Sequence, residues 1–281
     1  MSKSLTTAQI SSFDDMVKQA YQGAGRLRPT VRVKTGVVGN THRFTKIGKG
    51  VATPRIPQTD VVPMNIGYST ATATLTDWNA PEYTDLFDQQ KVNFQEQNQL
   101  AMVISAAIGR REDQLILDAI DAASTSLTVS TDIGGTGSNL NTTKFRAAKK
   151  AIDAKGVPMT DRYFVAHANN IYGLLGDTTA TSADYNTIRA LVNGEIDTWL
   201  GFKIVQFEDR DEGGLPLSTG VRTCYAYHGG AMGAIGLAVG VNFRTEVNYI
   251  PEKTSWLANG LFSGGSVAID AEGIVEISCT E

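Results

Sequence analysis

The residues of this chain that could do chemistry are few and scattered. His42, His167 and His228 are its three histidines, and none falls in an HxH or HExxH pattern. Zinc catalysis needs such clustered ligands, so metal chemistry has little to draw on. His167 ends an apolar run and reads as a packed residue. His228 precedes Gly229-Gly230 and could in principle be exposed. The two cysteines, Cys224 and Cys279, have no CxxC spacing, which argues against a zinc knuckle and against a disulfide framework. No GxSxG occurs, and Ser263-Gly264-Gly265-Ser266 lacks the spacing of a nucleophile elbow. No GxxxxGK[ST] occurs either. The glycine runs Gly48-Lys49-Gly50 and Gly134-Gly135-Thr136-Gly137 lack the strand-to-helix context that phosphate cradling requires. Glu208, Asp209, Asp211 and Glu212 offer carboxylates for calcium, but their order is not that of an EF-hand loop. A solvated acidic loop is the better reading. Asn141-Thr142-Thr143 is a glycosylation sequon in letters only. The sequence thus assigns no catalytic residue, no cofactor-binding residue and no metal site.

Bulk properties narrow the class further. The formal net charge is -4, where a chain that grips DNA phosphates would be basic. At 42% hydrophobic and 19% charged, the chain can bury a core of one or two lobes. No apolar run approaches the roughly 20 residues that span a bilayer, so no membrane partner is expected. The start, Met1-Ser2-Lys3-Ser4-Leu5, lacks the apolar centre of a signal peptide. Folding in a reducing cytosol follows.

The elements that would position these residues follow from periodicity. Ile10, Phe13, Val17, Ala20 and Tyr21 predict a short helix over 6–22, ending at Gly23-Ala24-Gly25. From 26 to 68, short β-favouring runs alternate with glycines, and Pro54, Pro57 and Pro63 block regular structure. That is an extended hairpin with little core of its own, whose ordering needs burial on a neighbour. Thr70, Thr72, Thr74 and Thr76 alternate with Ala71, Ala73 and Leu75 as a half-buried strand, closed by Trp78 and Pro81. The strongest signal is an amphipathic helix over 94–123, with Leu100, Val103, Ile104, Ala107, Ile108, Leu115, Ile116, Ala119 and Ile120 on one stripe. Gly109 interrupts it and predicts a close contact or slight bend. A second helix is expected over 142–155, stopped by Gly156 and Pro158. Short helices follow near 169–175 and 188–193. Strands are expected at 162–166, 202–207, 224–228, 234–239, 244–249, 261–269 and 274–279. Helices and strands are segregated, so the class is α+β.

The order of these elements resembles the major capsid proteins of tailed bacteriophages, the Hong Kong 97-type fold. Local stretches are similar too. Ala151-Ile152-Asp153, then Gly156-Val157-Pro158-Met159-Thr160-Asp161-Arg162-Tyr163-Phe164-Val165, looks like that family's helix-to-strand passage, and 169–176 like the short helix after it. Gly194-Glu195-Ile196-Asp197-Thr198-Trp199-Leu200-Gly201-Phe202-Lys203-Ile204-Val205 is similar to its turn into a strand, and 234–239 with 245–265 to its closing pattern. The resemblance implies an N-terminal arm over 1–39, an extended E-loop over 40–70, a P-domain from 71–141 and 236–281 with spine helix 94–123, and an A-domain over 142–235. It implies hexamers and pentamers of this chain forming the icosahedral head of a virion, assembled in the host bacterial cytoplasm. Double-stranded DNA would be enclosed without sequence-specific binding. The arm is short and lacks a long charged extension, so the expected partners include a separate scaffolding protein and a portal, with decoration proteins a further class. Lys46 and Lys49 supply amines for the lysine cross-links of some relatives, but no cross-link is expected here. An encapsulin-like compartment shell is the alternative, and a hydrolase using the acidic loop and His228 a more remote one.

Overall fold

The computed structural model describes residues 23–86, 96–123, 127–177, 198–210 and 212–281. The helices expected at 6–22 and 188–193 lie outside the described residues, as do Asp211, residues 194–197 and the first two positions of the 94–123 helix.

The described residues build three sheets. The first has four strands in the order β1 (Arg32–Thr35), β11 (Ile235–Ile250), β12 (Ser255–Ala268) and β4 (Thr76–Asp85). The expected strands at 234–239 and 244–249 are one strand, β11, because the Gly240 region is not a turn but a register shift against β12. Trp78 and Pro81 do not close a strand. They lie within β4, which is the edge of this sheet, and a proline without an N–H is tolerated at an edge.

Helix α1 (Glu96–Asp121) lies across this sheet as a rod of about 39 Å. Its stripe of Ile104, Ile108, Ile116, Leu117 and Ile120 is buried. Gly260 of β12 lets Ile104 sit on the backbone, since a Cβ there would collide with Ile104 Cγ2. Beside it, the Arg111 guanidinium covers the Trp78 ring at 4.1 Å.

A second sheet runs β5 (Thr128–Val129), β13 (Ile274–Thr280), β10 (Val221–His228), β6 (Arg162–His167), β8 (Phe202–Phe207) and β7 (Thr198–Trp199), with β9 (Leu217–Ser218) on β10. It therefore draws β5 and β13 from spans outside 142–235. Helix α2 (Thr142–Ala154) starts where Asn141 Oδ1 accepts from the Lys144 amide at 2.9 Å. It buries Phe145, which stacks on Phe164 at 4.0 Å and meets Trp199 edge-on at 4.6 Å. Helix α3 (Ala168–Leu175) follows β6 directly.

The third sheet is a two-stranded hairpin, β2 (Thr41–Ile47) with β3 (Tyr68–Thr74), joined by residues 48–67. Its strands meet the body along one side. There Phe44 and Ala73 pack on Ala238 with Val37, Leu75, Val267 and Ile269. Phe44 lies over Gly236, where a Cβ would come within 2.7 Å of the ring. Lys46 and Lys49 pair with Asp270 and Glu272, each at 2.6 Å.

Candidate assembly surfaces

Most charged residues close to the junction of the sheets are tied to one another. Asp113 on α1 has a side chain only 1% exposed. Its carboxylate accepts from the amides of Arg26 at 3.0 Å and Leu27 at 2.8 Å, and from Arg210 Nη1 at 3.1 Å. Burial pushes Asp113 above the usual carboxylate range, against the pull of those donors. Arg210 also donates to Glu208 Oε1 at 2.8 Å and stacks on the Phe207 ring. Arg28 pairs with Glu112 at 3.1 Å. Where the chain enters at Gly25 it touches Gly109, and a Cβ on either would lie 2.8 Å from the other's backbone. The contact expected at Gly109 is thus with the incoming arm. Among the described residues, these groups form a clamp that holds residues 23–28 on the middle of α1.

Most described residues of the acidic loop belong to that clamp. Glu208 faces Arg210 and Arg26, Glu212 pairs with Arg111, and the Gly213 amide donates to Gln114 Oε1 at 2.7 Å. Asp209 points the other way, to Arg222 at 3.2 Å and His167 at 3.1 Å. Each described carboxylate thus has a cationic neighbour.

The histidines are dispersed. His42 meets Phe44 edge-on at 4.7 Å. His167 is buried at the start of α3, as its apolar context predicts, and its Nδ1 accepts from the Asn169 amide at 3.3 Å. His228 is buried, contrary to the exposed reading, because it is the last residue of β10 and that sheet covers it. Burial lowers its pKa below the ordinary histidine range, and nearby Arg162 adds to the effect. Ser263 and Ser266 lie in β12, where Ser266 Oγ donates to the Gly236 carbonyl at 3.1 Å. In the Gly134–Gly137 turn, the Gly135 and Gly137 amides are taken up by Asp132.

Sequence reasoning missed Asp113, Arg210, Arg222 and Glu281, for single charges carry no spacing signal. Arg162 was visible as part of a motif. Its buried guanidinium donates to the carbonyls of Val157 at 2.7 Å and Pro158 at 2.8 Å, and to Asp153 at 2.6 Å. That ion pair holds the Asp153 carboxyl below its usual range. The similarity in this stretch therefore has a physical basis, a turn closed on one arginine.

One exposed surface among the described residues is apolar. Residues 48–67 expose Val51, Ile56, Val61, Val62 and Met64, each between 57 and 90%, where a folded monomer normally keeps large side chains in.

A family model described as phage capsid protein matches residues 5–281. The chain belongs to the phage capsid protein family. Solved structures agree on the fold. The capsid of cyanophage P-SCSP1u superposes with a TM-score of 0.76 at 16% identity, over 97% of this chain and 93% of that one. The Mycobacterium phage Che8 structure gives 0.71 at 17%, over 95% of each chain. The head structure of Helicobacter pylori bacteriophage KHP40 gives 0.76 at 9%, again over 95% of each. No curated protein matches the sequence itself. This capsid protein has the Hong Kong 97-type α+β fold, and it is a structural subunit of a phage head.

Proposed function

We propose that this capsid protein tiles an icosahedral head as hexamers and pentamers, packed around double-stranded DNA that it does not read. The observation that carries the proposal is the hairpin of β2 and β3. A small apolar cluster and two ion pairs anchor it to the body, and residues 48–67 carry five exposed apolar side chains. A second copy would bury them. Burying one such side chain stabilises by about 1.5–3 kcal/mol, so the five together offset part of the loss of freedom in ordering residues 48–67.

The lobes are assigned with the boundaries already given: arm 1–39, E-loop 40–70, P-domain 71–141 and 236–281, A-domain 142–235. The sheet that contains β13 and β5 spans the border between the last two, so strands of both spans are hydrogen-bonded into one layer. A separate scaffolding protein, a portal, assembly in the host cytoplasm and a purely structural, non-catalytic role complete the reading. No cross-link is proposed, since Lys46 and Lys49 are both held in ion pairs within the chain.

Electron microscopy of the purified full chain over a range of concentrations and salt tests this. Capsomeres, sheets or closed shells are expected. Only small discrete particles under every condition would overturn the assembly reading, and shells carrying a host enzyme from uninfected cells would favour a compartment.

A further inference from the structure

Met102, Ala106, Gly109, Asp113, Ile116 and Ile120 follow one another at spacings of four and three, so they share one stripe of α1. From Gly109 onward that stripe is covered. Gly25 lies against Gly109, the Arg26 and Leu27 amides bind Asp113, and Ile116 and Ile120 are buried. Among the described residues its first turns are bare. Met102 is 60% exposed, and with Ala101, Ser105, Ala106 and Phe243 of β11 it lines an open groove of about 700 Å³. Ala24 and Gly25 line the same groove at its Gly109 end. Arg28 and Glu112, the charged pair at that end, are bound to each other at 3.1 Å, so the rest of the lining is small or apolar.

Two contacts fix the direction in which the arm runs over this stripe. Leu27 sits at Asp113 and Gly25 at Gly109, one turn earlier. Going back along the arm therefore moves toward the start of α1, where the next stripe positions are Ala106 and Met102. The arm residues that come next are 6–22, in which Ile10, Phe13, Val17, Ala20 and Tyr21 recur at helical spacing. A helix with such a stripe needs an apolar surface to cover it. The small side chains of Ala101, Ser105 and Ala106 admit a second helix at the short end of the roughly 8–10 Å range of axial separations.

We propose that residues 6–22 lie as an amphipathic helix in this groove of their own subunit, parallel to α1, and complete the cover of its stripe. With Gly25 at Gly109 and an equal rise per residue in both helices, Tyr21 falls near Ala106 and Val17 near Met102. The clamp is then one half of a longer seam, ion-paired at Asp113 and apolar on the other side of Gly109. The apolar residues of the arm are taken out of water within the chain, unlike those of the hairpin. The inference concerns the single subunit and stands whether or not the shell reading holds.

Peroxide oxidation of the methionines in the full chain, diluted until light scattering shows single subunits, tests the docking. Met159 and Met232, at 72 and 83% exposure, serve as internal references. Met102 should oxidise about tenfold more slowly than either, the factor for a docked arm favoured about ten to one over a free one. Val17→Asp with Tyr21→Asp should raise Met102 to the reference rate and leave Met159 and Met232 unchanged. A second measurement holds even if that variant folds poorly. Val17→Cys paired with Met102→Cys, mildly oxidised at the same dilution, should form a disulfide within one chain, read as a linked tryptic peptide from the monomer band. Met102 oxidising as fast as the references in the wild type, a rate unmoved by the double variant, or the bond forming only between two chains overturns the proposal.

Discussion

The clamp around Asp113 and the hairpin of β2 and β3 solve opposite problems. The clamp takes charges out of water and satisfies them within the subunit, with Asp113 and Arg210 at 1 and 2% side-chain exposure. The hairpin does the reverse: its strands are paired and its base anchored, yet its apolar side chains stay in water. Buried polar groups with all partners present make one region specific and rigid. Exposed apolar groups with no partner make the other dependent on association. The contrast shows where a capsid subunit keeps its own stability and where it leaves stability to be supplied by neighbours.

If that division is right, changes in the two regions should separate folding from assembly. Replacing residues 51–64 by a short Gly-Ser turn should give the largest effect, complete loss of shells and capsomeres by electron microscopy. The melting temperature of the free subunit should move by no more than about 2–4 °C, and shells from this variant would break the comparison. In the clamp, Asp113→Ala strands the buried Arg210 and should destabilise the subunit by about 3–5 kcal/mol in urea titrations. An Asp113→Leu, Arg210→Met pair should recover only part of that loss, because the Arg26 and Leu27 amides lose their acceptor. Gly109→Val pushes a side chain into the backbone of Gly25 and should cost about 1–3 kcal/mol, with proteolysis appearing between 20 and 30. His228 has a lowered pKa in the folded state, so its contribution is present above the ordinary histidine range and lost as pH falls through it. His228→Gln should therefore flatten the loss of stability between about pH 7 and pH 5, by about 1 kcal/mol or less. Smallest of all, Lys46→Ala removes a half-exposed ion pair and should change stability by less than about 1 kcal/mol.

Periodicity made the secondary structure legible. The α1 stripe, the alternation at 70–76 and the extents of α2, β6 and β8 all follow from patterns a few residues long. Pro81 misled because sequence does not say which strand is an edge, and only an edge accepts a proline. Gly240 misled because a bulge and a turn use the same residue types. The clamp was illegible for a different reason. Asp113 meets Arg26 and Leu27 across more than eighty residues of chain, and one aspartate on a helix looks the same whether it faces solvent or a buried guanidinium. His228 was misjudged because Gly229-Gly230 suggests exposure, while its burial depends on the sheet that β10 joins.

The sheet order also has a consequence for synthesis. β1 pairs with β11 about two hundred residues later, and β13, the last strand, pairs with β10 and β5. Neither large sheet can close while the C-terminal third of the chain is still on the ribosome. Long-range pairing of this kind is slow and exposes intermediates. The hairpin is bound by the same schedule, since Phe44 rests on Gly236 and Ala238 and Lys46 on Asp270. A truncated chain therefore has nothing to hold its hairpin in the presenting position. The anchors of the hairpin thus become available only once the chain has been made as far as Glu272.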